Sequence, residues 1–201
     1  MIKRTHFAFL LAAAILALSL LAGCVGKEAA QDDDPVVASY GETEIRRSLV
    51  DYEKQNQQAL SGGKAVSDKE AVDQLLENLA MLDEAEHLEL SVSQEEVDEA
   101  FTAQQQNYEA YEDARAVIDD WCEQAGVTTE GYFAAIREQL PRIILRQKLR
   151  DALGEEYCQA HKLTFTKVNP PEKMRDYVQS YLDGLLKKYS AKITYYPALN
   201  G

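Results

Sequence analysis

The chain has 201 residues, of which 46% are apolar, and its 34 Asp and Glu against 21 Lys and Arg give a formal net charge of -13. This composition excludes a disordered chain, and the length fits one ordinary domain with its own core. The acidity argues against nucleic-acid binding, which needs clustered Lys and Arg. Three Cys residues are too few for a disulfide-stapled miniprotein.

The first 24 residues are the most informative segment. Basic residues at positions 3 and 4 are followed by an apolar run over 7–22 in which only Ser19 is polar. This run is short for a membrane-spanning helix, which needs about 20 residues, and it is typical of a secretory signal peptide. The tetrad Leu21-Ala22-Gly23-Cys24 resembles the lipobox of bacterial lipoproteins. That resemblance implies cleavage before Cys24 and acylation of this residue by fatty acids such as palmitate.

We therefore expect a signal peptide over 1–23 and a lipidated tether over 24–35. Loss of two basic residues with the signal peptide deepens the formal charge from -13 to -15. The mature protein is expected outside the cytoplasm, anchored to the bacterial membrane by its N-terminal lipid, because several acyl chains hold a protein firmly at a bilayer. The acidic run that ends at Asp34 is interpreted as part of a solvated tether.

The remaining residues predict a mainly α domain over 36–196 with a small β-sheet. The β-prone run 36–40 and the closing strand 191–196 are predicted to pair, with a turn at Gly41-Glu42 and a short second strand or a helix entry at 43–45. Predicted helices cover about 46–59, then the segments after Ser67 and after Ser93, then about 113–125 up to Gly126, a segment from Thr128, and 172–189.

Several local signals define these helices. Ser67 with Glu70 and Ser93 with Glu96 are capping boxes, and Gly126 is a helix stop. The fourth helix is predicted to carry an apolar face, formed by Val117, Ile118, Trp121, Cys122 and Ala125. Pro141 predicts a kink or a break in the fifth helix. Residues 172–196 are expected to close the domain as a helix and a strand.

The sequence carries no recognisable catalytic motif, and we assign no catalytic residue, no metal ligand and no cofactor. It lacks a phosphate-binding glycine loop, a G-x-S-x-G elbow and an H-E-x-x-H motif. His87 fits a helix end better than a general base. Three arrangements fit Cys122 and Cys158: a disulfide, which an extracytoplasmic compartment permits, two free buried thiols, or a metal site that includes His161.

The order of motifs resembles the SurA/PrsA-type chaperone family. Residues 36–45 (VVASYGETEI) are similar to its opening strand and turn, with Tyr40 where Asn is usual. Residues 71–90 (AVDQLLENLAMLDEAEHLEL) look like its second helix, and 91–101 (SVSQEEVDEAF) like the start of the next. This resemblance covers about 36–153, and 172–196 is similar to the closing helix and strand.

The resemblance implies a SurA N-terminal-like lobe that binds unfolded or partly folded secreted polypeptides. Relatives commonly carry a parvulin-type isomerase domain of on the order of a hundred residues, whereas only 162–171 lies at that position here. We therefore expect no isomerase activity. The candidate client-binding residues are the large aromatic side chains of the middle lobe. They are Phe101, Tyr108, Tyr111, Trp121, Tyr132 and Phe133, of which Tyr108 and Tyr111 are expected to be the most exposed.

These observations predict a membrane-anchored, non-catalytic holdase for unfolded secreted polypeptides. The alternative is a structural or accessory lipoprotein that uses the same helices to bind one folded partner. Neither function involves nucleic acid.

Overall fold

A computed structural model describes residues 34–200, which divide into two compact units. We call residues 92–144 the helical unit, and residues 34–91 together with 145–200 the sheet unit. The predicted domain over 36–196 includes the helical unit and nearly all of the described sheet unit. The predicted signal peptide, the acylation of Cys24 and most of the tether lie outside the described residues. Within residues 34–200, no helix is both long enough and apolar enough to cross a bilayer.

The sheet unit contains three antiparallel strands, β1 (Val36–Tyr40), β2 (Thr43–Arg46) and β3 (Ile193–Tyr195). Their order is β2-β1-β3, so β1 lies in the centre and both of its neighbours are hydrogen-bonded to it. Gly41 turns the chain between β1 and β2 with a φ of 56°, a left-handed conformation that costs glycine little. The predicted pairing of the N- and C-terminal strands is confirmed, with Ser39 opposite Thr194.

Two helices of the sheet unit follow the strands, α1 (Arg47–Leu60) and α2 (Asp68–His87). The predicted capping box at the start of α2 is present, with the Ser67 side chain accepting from the backbone N–H of Glu70. No local side chain caps α1. Instead, the Asp34 carboxylate accepts hydrogen bonds from the backbone N–H and the hydroxyl of Ser48, each at 2.8 Å. This residue of the predicted tether thereby stabilises the first turn of α1.

The helical unit is built from α3 (Gln94–Ala110), α4 (Glu112–Ala125) and the first part of α5 (Thr129–Ala160), which continues into the sheet unit. The predicted capping box at Ser93 and the helix stop at Gly126 are both present. The helix α4 buries only part of the apolar face predicted for it. Its buried residues, spaced four apart, are Ala114, Ile118 and Cys122, whereas Val117 is 43% exposed.

Pro141 lies inside α5 without breaking it. Of the kink or break that the sequence predicted, the break is wrong, although proline has no N–H and the carbonyl of Arg137 loses the partner it has in a regular helix.

We expect Pro141→Ala to raise the free energy of unfolding by about 1–3 kcal/mol, because proline is unfavourable in a helix interior. Urea denaturation followed by circular dichroism measures this. The matched control is Arg142→Ala, at the adjacent exposed position. A change no larger than that of the control contradicts the expectation.

The C-terminal segment closes the sheet unit. The predicted helix over 172–189 is interrupted, and the structure has α6 (Glu172–Asp183) followed by a short α7 (Leu185–Lys188). Gly184 lies between them, where its N–H bonds the carbonyl of Tyr181 at 3.1 Å, one residue nearer than in a regular α-helix. Glycine is a weak helix former, which explains why the helix tightens there.

The core of the sheet unit joins both ends of the chain. Its buried residues come from β1, β2, α1, α2, the second part of α5, α6, α7 and the last turn. The largest fully buried apolar side chains of this core are Ile45, Leu75, Leu76, Met81, Leu149, Leu153, Leu182 and Leu185. This core therefore depends on residues from both sides of the helical unit in the sequence.

Candidate functional site

The helical unit contains a cluster of five aromatic side chains, which we call the aromatic cluster. The ring of Phe133 lies at its centre, 6.2 Å from Phe101, 5.4 Å from Tyr108 and 5.3 Å from Tyr132 between ring centroids. Trp121 continues the cluster, 5.5 Å from Tyr132. These three contacts of Phe133 are edge-to-face, the arrangement that the charge distribution of aromatic rings favours.

Sequence spacing explains how the cluster forms. Phe101 and Tyr108 are seven residues apart on α3, two helical turns, so both point from the same face. Trp121 comes from α4, and Tyr132 and Phe133 come from the start of α5. The structure thus brings together five of the six aromatic residues that the sequence singled out.

The six residues differ in exposure. Tyr132 is buried, with 3% of its surface exposed, and four others are half-buried. Tyr111, at the junction of α3 and α4, is 50% exposed. Of the two residues expected to be most exposed, Tyr111 is exposed and Tyr108 is half-buried. The helical unit thus presents one exposed aromatic side chain and the edges of several others.

Charged groups lie against the faces of the cluster. The guanidinium of Arg137 is 4.9 Å from the ring centre of Phe101 and forms an ion pair of 2.6 Å with Asp98. Arg115 lies 5.7 Å from the ring centre of Tyr108. The Tyr108 hydroxyl donates to Asp119 at 2.8 Å, and this hydrogen bond, together with burial, raises the pKa of Tyr108. Rings and carboxylates together therefore accommodate guanidinium groups on this surface.

The sheet unit contains a buried carboxylate that sequence reasoning missed. Glu84 of α2 is fully buried and accepts hydrogen bonds from Tyr181 at 2.5 Å, Lys188 at 2.5 Å and Tyr189 at 2.8 Å. Burial alone would raise the pKa of Glu84, but the three hydrogen bonds and the positive charge of Lys188 outweigh it and lower the pKa. We call these four residues the Glu84 cluster.

A second, more exposed contact lies beside the Glu84 cluster. Asp83 accepts from the hydroxyl of Tyr40 and from the ammonium of Lys192, both at 2.5 Å. Tyr40, which stands where the resembled family has Asn, therefore links β1 to α2. Together with the Glu84 cluster, this contact joins the first strand, α2 and the C-terminal segment.

The sequence did contain one signal that Glu84 is buried. Leu76, Ala80 and Glu84 recur every four residues, so Glu84 lies on the same buried face of α2 as the two apolar residues.

The two cysteines of the described chain are free and buried. Cys122 lies in the helical unit, where burial raises the pKa of its thiol. Cys158 lies in the sheet unit, and its sulfur is 3.6 Å from that of Met174. His161 stacks on Tyr157 with ring centroids 4.0 Å apart. Among residues 34–200, no group of three or more His, Cys, Asp or Glu side chains is arranged to bind a metal ion.

Comparison with known proteins gives one match. A family model described as a SurA-like N-terminal domain matches residues 2–150. No curated protein and no solved structure matches the chain. The family match covers α1 to α4, the first two strands and the first part of α5, and it leaves out the closing segment. Since it spans most of the sequence, the chain belongs to the SurA-like N-terminal domain family, a chaperone-like family.

Proposed function

We propose that this protein is a lipid-anchored, extracytoplasmic holdase that binds unfolded secreted polypeptides without catalysing a reaction on them. Membership of the SurA-like N-terminal domain family carries this proposal. The mainly α architecture with a small sheet supports it, since both features are those expected of a chaperone lobe of this kind. The absence of a recognisable catalytic motif in the sequence motivates the non-catalytic part.

The helical unit is the part of the chain that we assign to client binding. A protein that holds unfolded chains needs apolar surface that stays soluble, which requires charge around it. The aromatic cluster provides half-buried rings, and Tyr111 and Val117 add large apolar side chains that are 50% and 43% exposed. All but one of the acidic side chains of this unit are exposed.

The anchor belongs to the same proposal. The lipobox at Leu21–Cys24 supports attachment to the membrane at Cys24, with a tether that ends where Asp34 caps α1. Labelling of cells with a radioactive or clickable fatty acid tests it. We expect the wild-type protein to take up the label and to sediment with membranes, and the Cys24→Ala variant to do neither. Labelling of the variant would refute the assignment of the anchor.

The holdase function is tested with Tyr111→Ser in an aggregation assay. Tyr111 is the N-cap residue of α4 and gives it no side-chain hydrogen bond, whereas Ser is a preferred N-cap. The substitution therefore removes an exposed ring and places a preferred N-cap residue at the start of α4. We expect about fivefold more variant than wild type to be needed for equal suppression of light scattering, which corresponds to about 1 kcal/mol of lost aromatic contact.

The matched control is Val168→Ser, which removes an apolar side chain that is 56% exposed from the segment between α5 and α6. This control is expected to act like wild type. Failure of the wild-type protein to suppress aggregation of a denatured client at a stoichiometric ratio would refute the holdase function. Equal loss in the control would refute the assignment of binding to the helical unit.

A further inference from the structure

The net negative charge of residues 34–200 is concentrated in the helical unit. Residues 92–144 contain 12 Asp and Glu residues, 3 Arg and no Lys, a formal charge of -9. The described residues of the sheet unit, 34–91 and 145–200, contain 19 Asp and Glu against 15 Lys and Arg, a charge of -4 over twice as many residues. A solvated surface needs charge of either sign, so solubility alone does not explain this one-sided composition.

The acidic side chains and the apolar surface occur together in this unit. Eleven of its 12 carboxylates are on exposed residues. Tyr111 is followed directly by Glu112 and Asp113, and Val117 is followed two residues later by Asp119 and Asp120. A polypeptide segment that contacts the exposed apolar side chains therefore lies within a Debye length, about 8 Å at physiological salt, of several carboxylates.

The arginines of the unit show which chemistry this surface favours. Arg137 places its guanidinium against the ring of Phe101 while it pairs with Asp98, and Arg115 lies against Tyr108. A ring face beside a carboxylate attracts a guanidinium through both the ring quadrupole and the opposite charge. The same combination on the exposed part of the unit would attract Arg or Lys side chains of a client.

We infer that the helical unit selects unfolded polypeptide segments that combine apolar or aromatic residues with basic ones, and that it disfavours acidic segments. This inference rests on the proposed function and specifies its substrate class. Charge complementarity would raise the rate at which basic segments encounter the helical unit. It would also discriminate against acidic segments, since like charges placed together are unfavourable. The apolar contacts would still supply most of the affinity.

The test uses the lipid-free mature chain, residues 24–201 with Cys24→Ser, and three unstructured peptides. The peptides share the same aromatic and aliphatic residues and differ at four positions, which are all Arg, all Gln or all Glu. Fluorescence anisotropy at low and at physiological salt gives the dissociation constants. We expect the Arg peptide to bind about tenfold more tightly than the Gln peptide, the Glu peptide to bind most weakly, and the differences to shrink with added salt.

Two protein variants test whether the carboxylates of the helical unit cause the preference for the Arg peptide. Glu99→Gln, Glu109→Gln, Glu123→Gln and Glu138→Gln together remove four exposed charges from the helical unit. The control removes four exposed charges from the sheet unit by Glu42→Gln, Glu86→Gln, Glu89→Gln and Glu155→Gln. These eight residues are all exposed, and neither set contains a capping-box glutamate. We expect the first variant to lose about tenfold in affinity for the Arg peptide and the control to change much less.

Each outcome has one meaning. Equal binding of the three peptides, or an equal loss in both variants, would overturn charge selection by the helical unit and leave the holdase function standing. Absence of binding by any of the peptides, together with no suppression of aggregation, would overturn both.

Discussion

A chain that ends at Pro171 is expected to lose the folded sheet unit. The deletion removes four buried side chains of its core, which are Val178, Leu182, Leu185 and Leu199. Burial of one such side chain contributes about 1.5–3 kcal/mol, so the four account for about as much as the whole stability of an ordinary domain. The deletion also removes β3, which leaves β1 paired with β2 alone, and an isolated two-stranded sheet is marginal.

Hydrogen exchange measures this effect directly. In the full chain, amides of β1 and α2 are expected to be protected, and in the truncated chain they should exchange at the rate of an unfolded peptide. The matched control keeps the segment and changes only exposed positions of α6, with Lys173→Ala, Asp176→Ala and Ser180→Ala. Protected β1 amides in the truncated chain would contradict the prediction. The family match ends at residue 150, so loss of protection in the truncated chain would also show that the matched residues alone are not sufficient to fold.

Replacement of Glu84 by Ala is expected to lower the free energy of unfolding by about 3 kcal/mol or more. The substitution leaves two tyrosine hydroxyls and a lysine without their acceptor and opens a cavity at a fully buried position. The matched control is Glu86→Ala, two residues further along α2, where the side chain is exposed. Urea denaturation gives both values. A loss no greater than that of the control would show that the Glu84 cluster contributes little.

The Glu84 cluster also predicts how stability depends on pH. The pKa of Glu84 is lowered from its ordinary 4.5, so its contribution is complete above pH 4.5 and is lost as pH falls through the folded-state value. On the alkaline side, burial followed by the hydrogen bond to Glu84 raises the pKa of Tyr189 from 10.0 to about 12. Its contribution is complete below pH 10 and is lost between pH 10 and about 12.

Urea denaturation at several pH values checks the direction of both pH effects on stability. The stability of wild type should fall below pH 4.5 and again above pH 10, and Glu84→Gln should flatten both slopes. Unchanged slopes in this variant would show that other groups govern both transitions.

Local sequence signals were sufficient to predict most helix ends. The capping boxes at Ser67 and Ser93 and the left-handed Gly126 each act within one turn of the chain, so their neighbours in the sequence already specify them. The same holds for the turn at Gly41. The aromatic candidates were identified from the sequence, and the predicted exposure is correct for Tyr111 but not for Tyr108. The sequence does not fix the exposure of a ring, because burial depends on the helix that packs against it.

Where a local signal competed with packing, the prediction was less accurate. Pro141 disfavours a helix by itself, yet α5 continues through it, since a long packed helix accommodates one lost hydrogen bond. Val117 shares the predicted apolar face of α4 with Ile118, but the packing of this helix buries Ala114, Ile118 and Cys122 and leaves Val117 exposed. Gly184 divides the last helix, although the apolar stripe of residues 174–189 is continuous in the sequence.

The sequence by itself determined that this is an acidic, mainly α chain with a lipobox-like start, paired terminal strands and the order of motifs typical of a chaperone-like family. Only the tertiary structure showed that the chain forms two units and that most of the net negative charge of residues 34–200 lies in one of them. It also revealed Glu84 as a buried acceptor for Tyr181, 97 residues away. The physical reason is distance along the chain: caps and turns are satisfied by neighbouring residues, whereas a buried charge is satisfied only by partners that folding brings to it.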